Sequence, residues 1–491
     1  MADFLQDKRI EYIRQLHQLP TQLVIAISGG GSLVLADLLT EPGASRTVID
    51  AFIPYSHESL ARYIGRVPEH YCSPQTARMM ATTAFHHARR IIRSHILRNS
   101  GELSDESSIR PGSTDVSHDV KTRFIRPKDI DSEERLTPDI AGVRSDADEL
   151  DPFLDTIGIG CSASLSTNRE KKGELKVFVV LQSLRRTIQF SLNLHKGART
   201  RQEEERLVGD LVLNAIESIR RATNGVPPAI SKPKHYTNEP FCGLFSSGST
   251  DNFPLTEVIP LQLNPGETVT GKQRVGSLPL VELFYGKLWA VLWQNEMIQN
   301  FISRQRDDMP SGTGFNPHAE YMQAIFPGSF NPIHKGHLKM VAVAEQRLQN
   351  KVVLELSIRN ADKPPLDYIG LDERLQKISA TNPKLAVWLT QTPLFEEKAD
   401  LFREATFIVG TDTLRRFADL KFYHESTHQL QDVLRRVAYY NCRFIVFPRQ
   451  SDQGIETMDG MDIPDMLRSL CDEVPISEFA ENISSTELRK L

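Results

Sequence analysis

The sequence has few cysteines, no long apolar run and no excess of either charge over its 491 residues. The cysteines, Cys72, Cys161, Cys242, Cys442 and Cys471, are scattered and form no CxxC pair. That excludes a disulfide scaffold, argues against a metal site built on thiolates, and fits a reducing compartment. The apolar run Leu23–Ile27 is far shorter than the ~20 residues a membrane span needs. The first residues, with Asp3 and Asp7, lack the apolar core of a secretory signal. A soluble, cytoplasmic protein is expected. Lys+Arg number 58 and Asp+Glu 63, a net charge of -5, so there is no electrostatic footprint for nucleic acid or an anionic membrane. What is present is 40% hydrophobic and 25% charged, enough for several domain cores and incompatible with wholesale disorder.

Residues 1–97 and 152–222 read as one α/β domain. Leu23–Ile27 and Ala51–Pro54 are strand candidates, and Ser32–Thr40 is a helix stopped by Glu41-Pro42-Gly43. Pro74–Leu97 is a helix ending in the basic cluster Arg89, Arg90 and Arg93. Lys176–Leu181 and Thr187–Leu192 are strands, and Gln202–Ile219 is an amphipathic helix. Between these pieces, 98–151 is dominated by Ser, Asp, Glu, Pro and Arg. Such a segment buries too little surface to offset its ordering entropy, and it reads as a flexible insertion open to phosphorylation.

Residues 223–318 read as a proline-bearing linker and a small connecting region, with Val258–Leu263 and Leu280–Phe284 as strands and Gly286–Phe301 as a helix containing Trp289 and Trp293. From 319 to 491, strand-like runs (Gln323–Phe326, Val352–Ser357, Phe407–Val409, Phe444–Phe447) alternate with helical stretches. That alternation predicts a parallel sheet with helices on both faces.

The richest string is Gly328-Ser329-Phe330-Asn331-Pro332-Ile333-His334-Lys335-Gly336-His337, between a predicted strand and a predicted helix. Glycine lets the backbone approach a phosphate, and a helix N-terminus offers free N–H groups and a positive dipole end. His334 and His337, three residues apart, share one face of the first turn, and Lys335 adds a fixed charge. Near the end of the chain, Ser484, Ser485 and Thr486 can open a helix toward an anion, with Arg489 about one turn on. Gly410 and Asp412 stand at another strand–helix junction, where Asp412 can cap the helix.

The Gly328–His337 string resembles the HxGH signature of the nucleotidylyltransferase superfamily, which includes the mononucleotide adenylyltransferases of NAD synthesis. Gly410-Thr411-Asp412-Thr413-Leu414 is similar to its GxDxL segment, and Ile483–Arg489 to its ISSTxxR string. The resemblance covers about 322–491. It implies a Rossmann-like domain transferring a nucleotidyl group from ATP, with Mg²⁺, to a mononucleotide phosphate, with nicotinamide or nicotinate mononucleotide the favoured acceptor, giving an NAD-type dinucleotide and pyrophosphate. His334, His337, Lys335 and Arg489 would be the catalytic donors. Gly328, Ser329, Phe330, Gly410, Asp412, Ser484, Ser485 and Thr486 would bind the nucleotide. Lys363 would lie in a substrate-side loop, and Trp388 would either stack on a pyridine ring or belong to the core. A CTP-dependent cytidylyltransferase acting on a phospho-alcohol and a non-catalytic nucleotide-binding scaffold are the alternatives.

Ala26–Leu33, Pro42–Ser45 and Tyr55–Glu58, with Gly158-Ile159-Gly160 as a glycine-rich turn and Gly197-Ala198-Arg199, resemble the CinA C-terminal family, which includes nicotinamide mononucleotide deamidases. The fold class implied is therefore α/β twice over: a CinA-like α/β domain and a Rossmann-like nucleotidylyltransferase domain. Ser28, Tyr55 and Arg199 would mark a vestigial deamidase site, because Ile27, Gly29, Gly30 and Leu60 replace family residues, among them the lysine that could serve as base. The companion family is commonly oligomeric, so a homo-oligomer is compatible with the resemblance. Joining two modules that handle pyridine mononucleotides would raise the effective concentration of a shared intermediate.

Overall fold

Apolar runs flanked by glycine become strands, and the amphipathic stretches between them become the helices that cover the sheets. The computed structural model describes residues 2–99, 153, 155–168, 172–224, 243–303, 321–359, 365–423, 425–451 and 454–479. They fall into two compact units. The first is drawn from Met1–Thr237, Gly248–Arg274 and Asp362–Asp367, the second from Asn238–Ser247, Val275–Ala361 and Tyr368–Leu491. No helix of the described residues is long and apolar enough to cross a membrane.

The first unit carries a six-stranded sheet: β1 (Gln22–Ser28), β2 (Val48–Phe52), β3 (Thr156–Ser164), β4 (Leu175–Gln182), β5 (Arg186–Leu194) and β6 (Val269–Val275), in the order β2-β1-β3-β4-β5-β6. β1 runs parallel to β2 and β3, and β4 and β5 continue antiparallel. Helices Ala2–Leu16, Leu33–Thr40 and Arg201–Asn224 share one core with this sheet through residues such as Leu16, Leu23, Ile25, Leu38, Leu207 and Leu211. Helix Pro74–Asn99 lies close against the backbone of β3.

Gly158-Ile159-Gly160 is part of strand β3 and not a turn. A Cβ on Gly158 would stand 2.2 Å from the Phe85 amide nitrogen, and one on Gly160 would stand 2.2 Å from the Ala77 carbonyl oxygen. The glycines thus strip one face of β3 so that the helix backbone can touch it, while Ile157, Ile159 and Cys161 join the core with Leu207 and Leu211.

The second unit is built on β7 (Leu288–Gln294), β8 (Met297–Ser303), β9 (Ala324–Pro327), β10 (Val353–Ser357), β11 (Val387–Thr390), β12 (Thr406–Gly410), β13 (Arg443–Phe447) and β16 (Cys471–Glu473). The order is β16-β13-β12-β9-β10-β11-β7-β8. From β16 to β11 every pair is parallel, and β7 and β8 are antiparallel additions at the edge. The short hairpin β14 (Arg449–Ser451) and β15 (Gly454–Glu456) follows β13.

The connecting region expected over 223–318 is divided in the described residues. Phe253, Leu255, Val258, Leu261 and Leu263 pack against the first unit's core. Val258–Leu263 forms no strand, because the buried amide of Asn214 takes the place of a neighbouring strand: its Oδ1 accepts the Val258 and Ile259 N–H groups, both at 2.9 Å, and its Nδ2 donates to the Ile259 carbonyl at 2.7 Å. Leu280–Phe284 lies within a helix, Leu278–Tyr285, closed by Gly286 at φ 89°. Gly286–Phe301 is largely the β7–β8 hairpin and not a helix. Asn295 and Glu296 turn it with φ of 50° and 64°, the signs that a two-residue hairpin of matching twist requires.

Candidate active site

From β9 the chain crosses to β10 on one side and later returns to β12 on the other. That reversal is the switch point of a doubly wound sheet, where a crevice opens beyond the carboxyl ends of the strands. β9 and β12 are parallel neighbours, with Ile325 opposite Phe407, so the loops that leave them emerge side by side. One is Gly328–Ile333, leading into helix α1 (Lys335–Leu348) of this site. The other is the junction Gly410–Asp412, opening helix α2 (Thr411–Ala418).

The first loop is one packed unit. Phe330 adopts φ 41° and buries its ring edge-on to Phe326 at 5.3 Å and against His337 at 5.3 Å. A Cβ on Gly328 would come within 2.7 Å of that ring, which is why only glycine fits there. The Gly328 N–H donates to the Glu355 carbonyl of β10 at 2.9 Å, and Arg374 donates to the Ser329 carbonyl at 3.1 Å. Phe330, expected among the nucleotide contacts, is 1% exposed. Its side chain is a support for the loop, and only its backbone is left to meet a ligand.

His334 is the N-cap residue of α1, in extended conformation. Its N–H donates to Nδ1 of His337 at 3.2 Å. A neutral His337 therefore carries its proton on Nε2 and is a donor there. The two rings lie 3.6 Å apart at 32°, so a second positive charge would be strongly opposed. Burial, the neighbouring His334 and the charge of Arg449 push His337 down to about 3, while burial and Arg449 also lower His334. Nδ1 of His334 is buried and has no hydrogen-bond partner among the described residues. Lys335 stands exposed in the first turn.

Arg449, at the start of β14, ion-pairs with Asp412. It joins the α2 junction to the histidine pair electrostatically, and sequence reasoning missed it. The arrangement offers neutral N–H donors, a helix N-terminus and cationic side chains to an anion. Among the described residues, no group of three His, Cys, Asp or Glu side chains could hold a metal ion.

Because His337 binds its proton less readily folded than unfolded, the unfolded chain takes up more protons between about pH 3 and 6.5, and stability falls as pH drops through that window. The loss at pH 5 is about 2 kcal/mol, at about 1.4 kcal/mol per unit. His337→Gln should remove this part of the acid slope in chemical unfolding at pH 7 and pH 5; equal slopes for the two proteins would contradict the assignment.

Trp388, considered for stacking on a substrate ring, is fully buried in β11, its indole N–H donating to the Tyr321 carbonyl at 2.7 Å with Phe402 alongside. It is a core residue. Lys363, Ser484, Ser485, Thr486 and Arg489 lie outside the described residues.

In the first unit, Ser28 donates to the Pro54 carbonyl at 3.1 Å and Tyr55 is exposed. Arg199 is committed elsewhere, to Glu267 through contacts of 2.8 and 2.7 Å. Burial would raise the Glu267 carboxyl, but Arg199 and the amides of His195 and Asn264 outweigh it and hold the group down to about 2. Ser32 donates both its N–H and its hydroxyl to Glu205 at 2.6 Å, so a carboxylate of the chain itself fills the amide end of the glycine loop. No hydrogen bond joins Ser28, Tyr55 and Arg199 among the described residues.

Residues 325–491 match the cytidylyltransferase-like family model. A Schizosaccharomyces pombe protein provisionally named nicotinamide mononucleotide adenylyltransferase is 30% identical over 177 residues, covering 34% of this chain and 68% of that protein. The chain belongs to the cytidylyltransferase-like nucleotidyltransferase family. A phosphopantetheine adenylyltransferase from Synechococcus sp. is 38% identical over 64 residues, which cover 13% of this chain and only 36% of that protein. Among solved structures, the competence/damage inducible protein CihA from Agrobacterium tumefaciens aligns over 45% of this chain and 95% of its own, at 12% identity and a TM-score of 0.24, and a likeness of that size carries no inference.

Proposed function

We propose that the second unit transfers an adenylyl group from ATP to the phosphate of nicotinamide or nicotinate mononucleotide, giving a dinucleotide and pyrophosphate. The observation that carries this reading is the close His334–His337 pair, its rings 3.6 Å apart, at the N-terminus of α1, beside the β9–β12 switch point. A mononucleotide phosphate oxygen attacks the α-phosphorus of ATP. The new P–O bond forms as the bond to the β-phosphate bridging oxygen breaks, and that oxygen leaves with pyrophosphate. The attacking phosphate needs no base, so the protein's work is alignment and charge stabilisation.

Nε2 of His337 donates to the phosphates, the His334 ring supplies a second partner, and Lys335 and Arg449 add charge, with Arg489 as a further cation. Gly410 and Asp412 would face the nucleoside. The donor set suits phosphate oxygens and not a metal ion, so Mg²⁺ is read as arriving with the triphosphate.

The acceptor class rests on the name of the Schizosaccharomyces pombe relative. A second reading, transfer of a cytidylyl group from CTP to a phospho-alcohol, is favoured by the description of the matching family. Pyrophosphate release from ATP or CTP with Mg²⁺, each paired with nicotinamide mononucleotide, nicotinate mononucleotide or a phospho-alcohol, separates the two. Release confined to ATP with a pyridine mononucleotide is expected; release confined to CTP would replace the reading, and release with no pair would favour a nucleotide-binding scaffold. Amide hydrolysis by the first unit forms no part of the proposal.

A further inference from the structure

Glu355 of β10 does two things at once. Its carbonyl accepts the N–H of Gly328, the first residue of the phosphate loop, at 2.9 Å. Its carboxylate, 1% exposed as a residue, receives Lys398 Nζ on both oxygens at 2.7 Å and the Thr390 hydroxyl at 2.5 Å. Lys398 also donates to the Thr392 carbonyl at 2.6 Å, and the Thr392 hydroxyl donates to that of Thr390 at 2.9 Å. Three segments are tied at one point: β10 beside the loop, the chain leaving β11, and the helix Phe395–Leu401 that carries Lys398.

A buried ion pair is a poor source of stability, because desolvation cancels most of the attraction and apolar replacements are often as stable. Its geometric value is different. An apolar pair of the same volume could not bond the Thr390 hydroxyl and the Thr392 carbonyl, and would leave β10 free to shift against the loop. Charge also matters. With Lys398 present, the Glu355 carboxylate is neutralised beneath a loop that must receive an anion.

Resting on the nucleotidyl-transfer reading, we propose that Glu355 and Lys398 are positioning residues that hold the Gly328 end of the phosphate loop at its working distance from the substrate. A displacement of about 1 Å at a reacting centre can cost about 100-fold in rate, so small movements of β10 would be felt as lost turnover.

The test uses the full chain and the pyrophosphate assay, with thermal unfolding in parallel. The double variant E355Q/K398M, which removes both charges together, should remain folded at the assay temperature, with at most a modestly lowered unfolding midpoint, and keep its KM for ATP while kcat falls about tenfold, the size expected of a sub-ångström displacement. Thr390→Val leaves the ion pair intact and removes one tie; it should lower kcat two- to fivefold, about a fifth to a half of the tenfold range, at unchanged KM. A merely structural pair would move the midpoint and leave kcat alone. Wild-type kcat in either folded variant overturns the proposal. A wild-type chain that releases no pyrophosphate overturns the nucleotidyl-transfer reading, and this inference with it.

Discussion

His337→Ala should lower kcat for nucleotidyl transfer by about 100- to 1,000-fold, the cost of losing one preorganised donor at a developing charge. His334→Ala should come close to it, and neither should unfold the chain. The argument rests on protonation. His337 accepts the His334 N–H on Nδ1, so its remaining proton sits on Nε2, and its displacement to about 3 keeps the ring neutral at working pH. A neutral N–H donor needs no prior protonation. His337→Gln, which reaches a similar place with an amide N–H, should therefore recover part of the activity that alanine loses, and kcat/KM should stay flat from pH 8 to 6.5 as far as His337 is concerned. A fall in kcat/KM as pH rises through 6.5, abolished by His337→Gln, would show that the imidazolium is the working form and would contradict the assignment.

Gly328→Ala should be the second largest loss, about 10- to 100-fold in kcat, for a destabilisation of about 1–3 kcal/mol. The added Cβ would meet the Phe330 ring at 2.7 to 3.0 Å. That ring cannot swing away, because Phe326 and His337 close on it. The backbone has to yield instead, and with it the N–H groups and the histidines that the loop presents. Steady-state kinetics with circular dichroism of the same sample checks the claim: native secondary structure with wild-type kcat would show that the loop tolerates the shift.

The parallel core of the second unit was legible because its strands are short apolar runs separated by amphipathic helices, and the Gly328–His337 string falls on a junction between two of them. The β7–β8 hairpin was not. Trp289 and Trp293 are four apart, a spacing shared by one face of a helix and one face of a strand. The positive φ of Asn295 and Glu296 decides between them, and Asn-Glu is a weaker hairpin signal than Asn-Gly. Trp388 was open to two readings because an aromatic side chain looks the same in sequence whether it lines a pocket or fills a core; its burial and the Tyr321 carbonyl decide.

Gly158 and Gly160 read as a turn because glycine marks both turns and places where another backbone comes close. Arg449 follows β13 in Phe447-Pro448-Arg449, which carries no motif, and reaches the histidines only because β13 lies next to β12. The Glu355–Lys398 pair joins residues 43 apart and is invisible without the fold.

The most direct measurement of the account is a histidine-selective ¹⁵N NMR titration of the full chain with Mg²⁺ and α,β-methylene ATP, a nucleotide that cannot be cleaved at the reacting bond. The account predicts that the His337 and His334 ring-nitrogen resonances shift together and that both rings become easier to protonate as the triphosphate arrives. Saturable binding that leaves both histidines unmoved would show that the polyphosphate is gripped somewhere other than the crevice between β9 and β12.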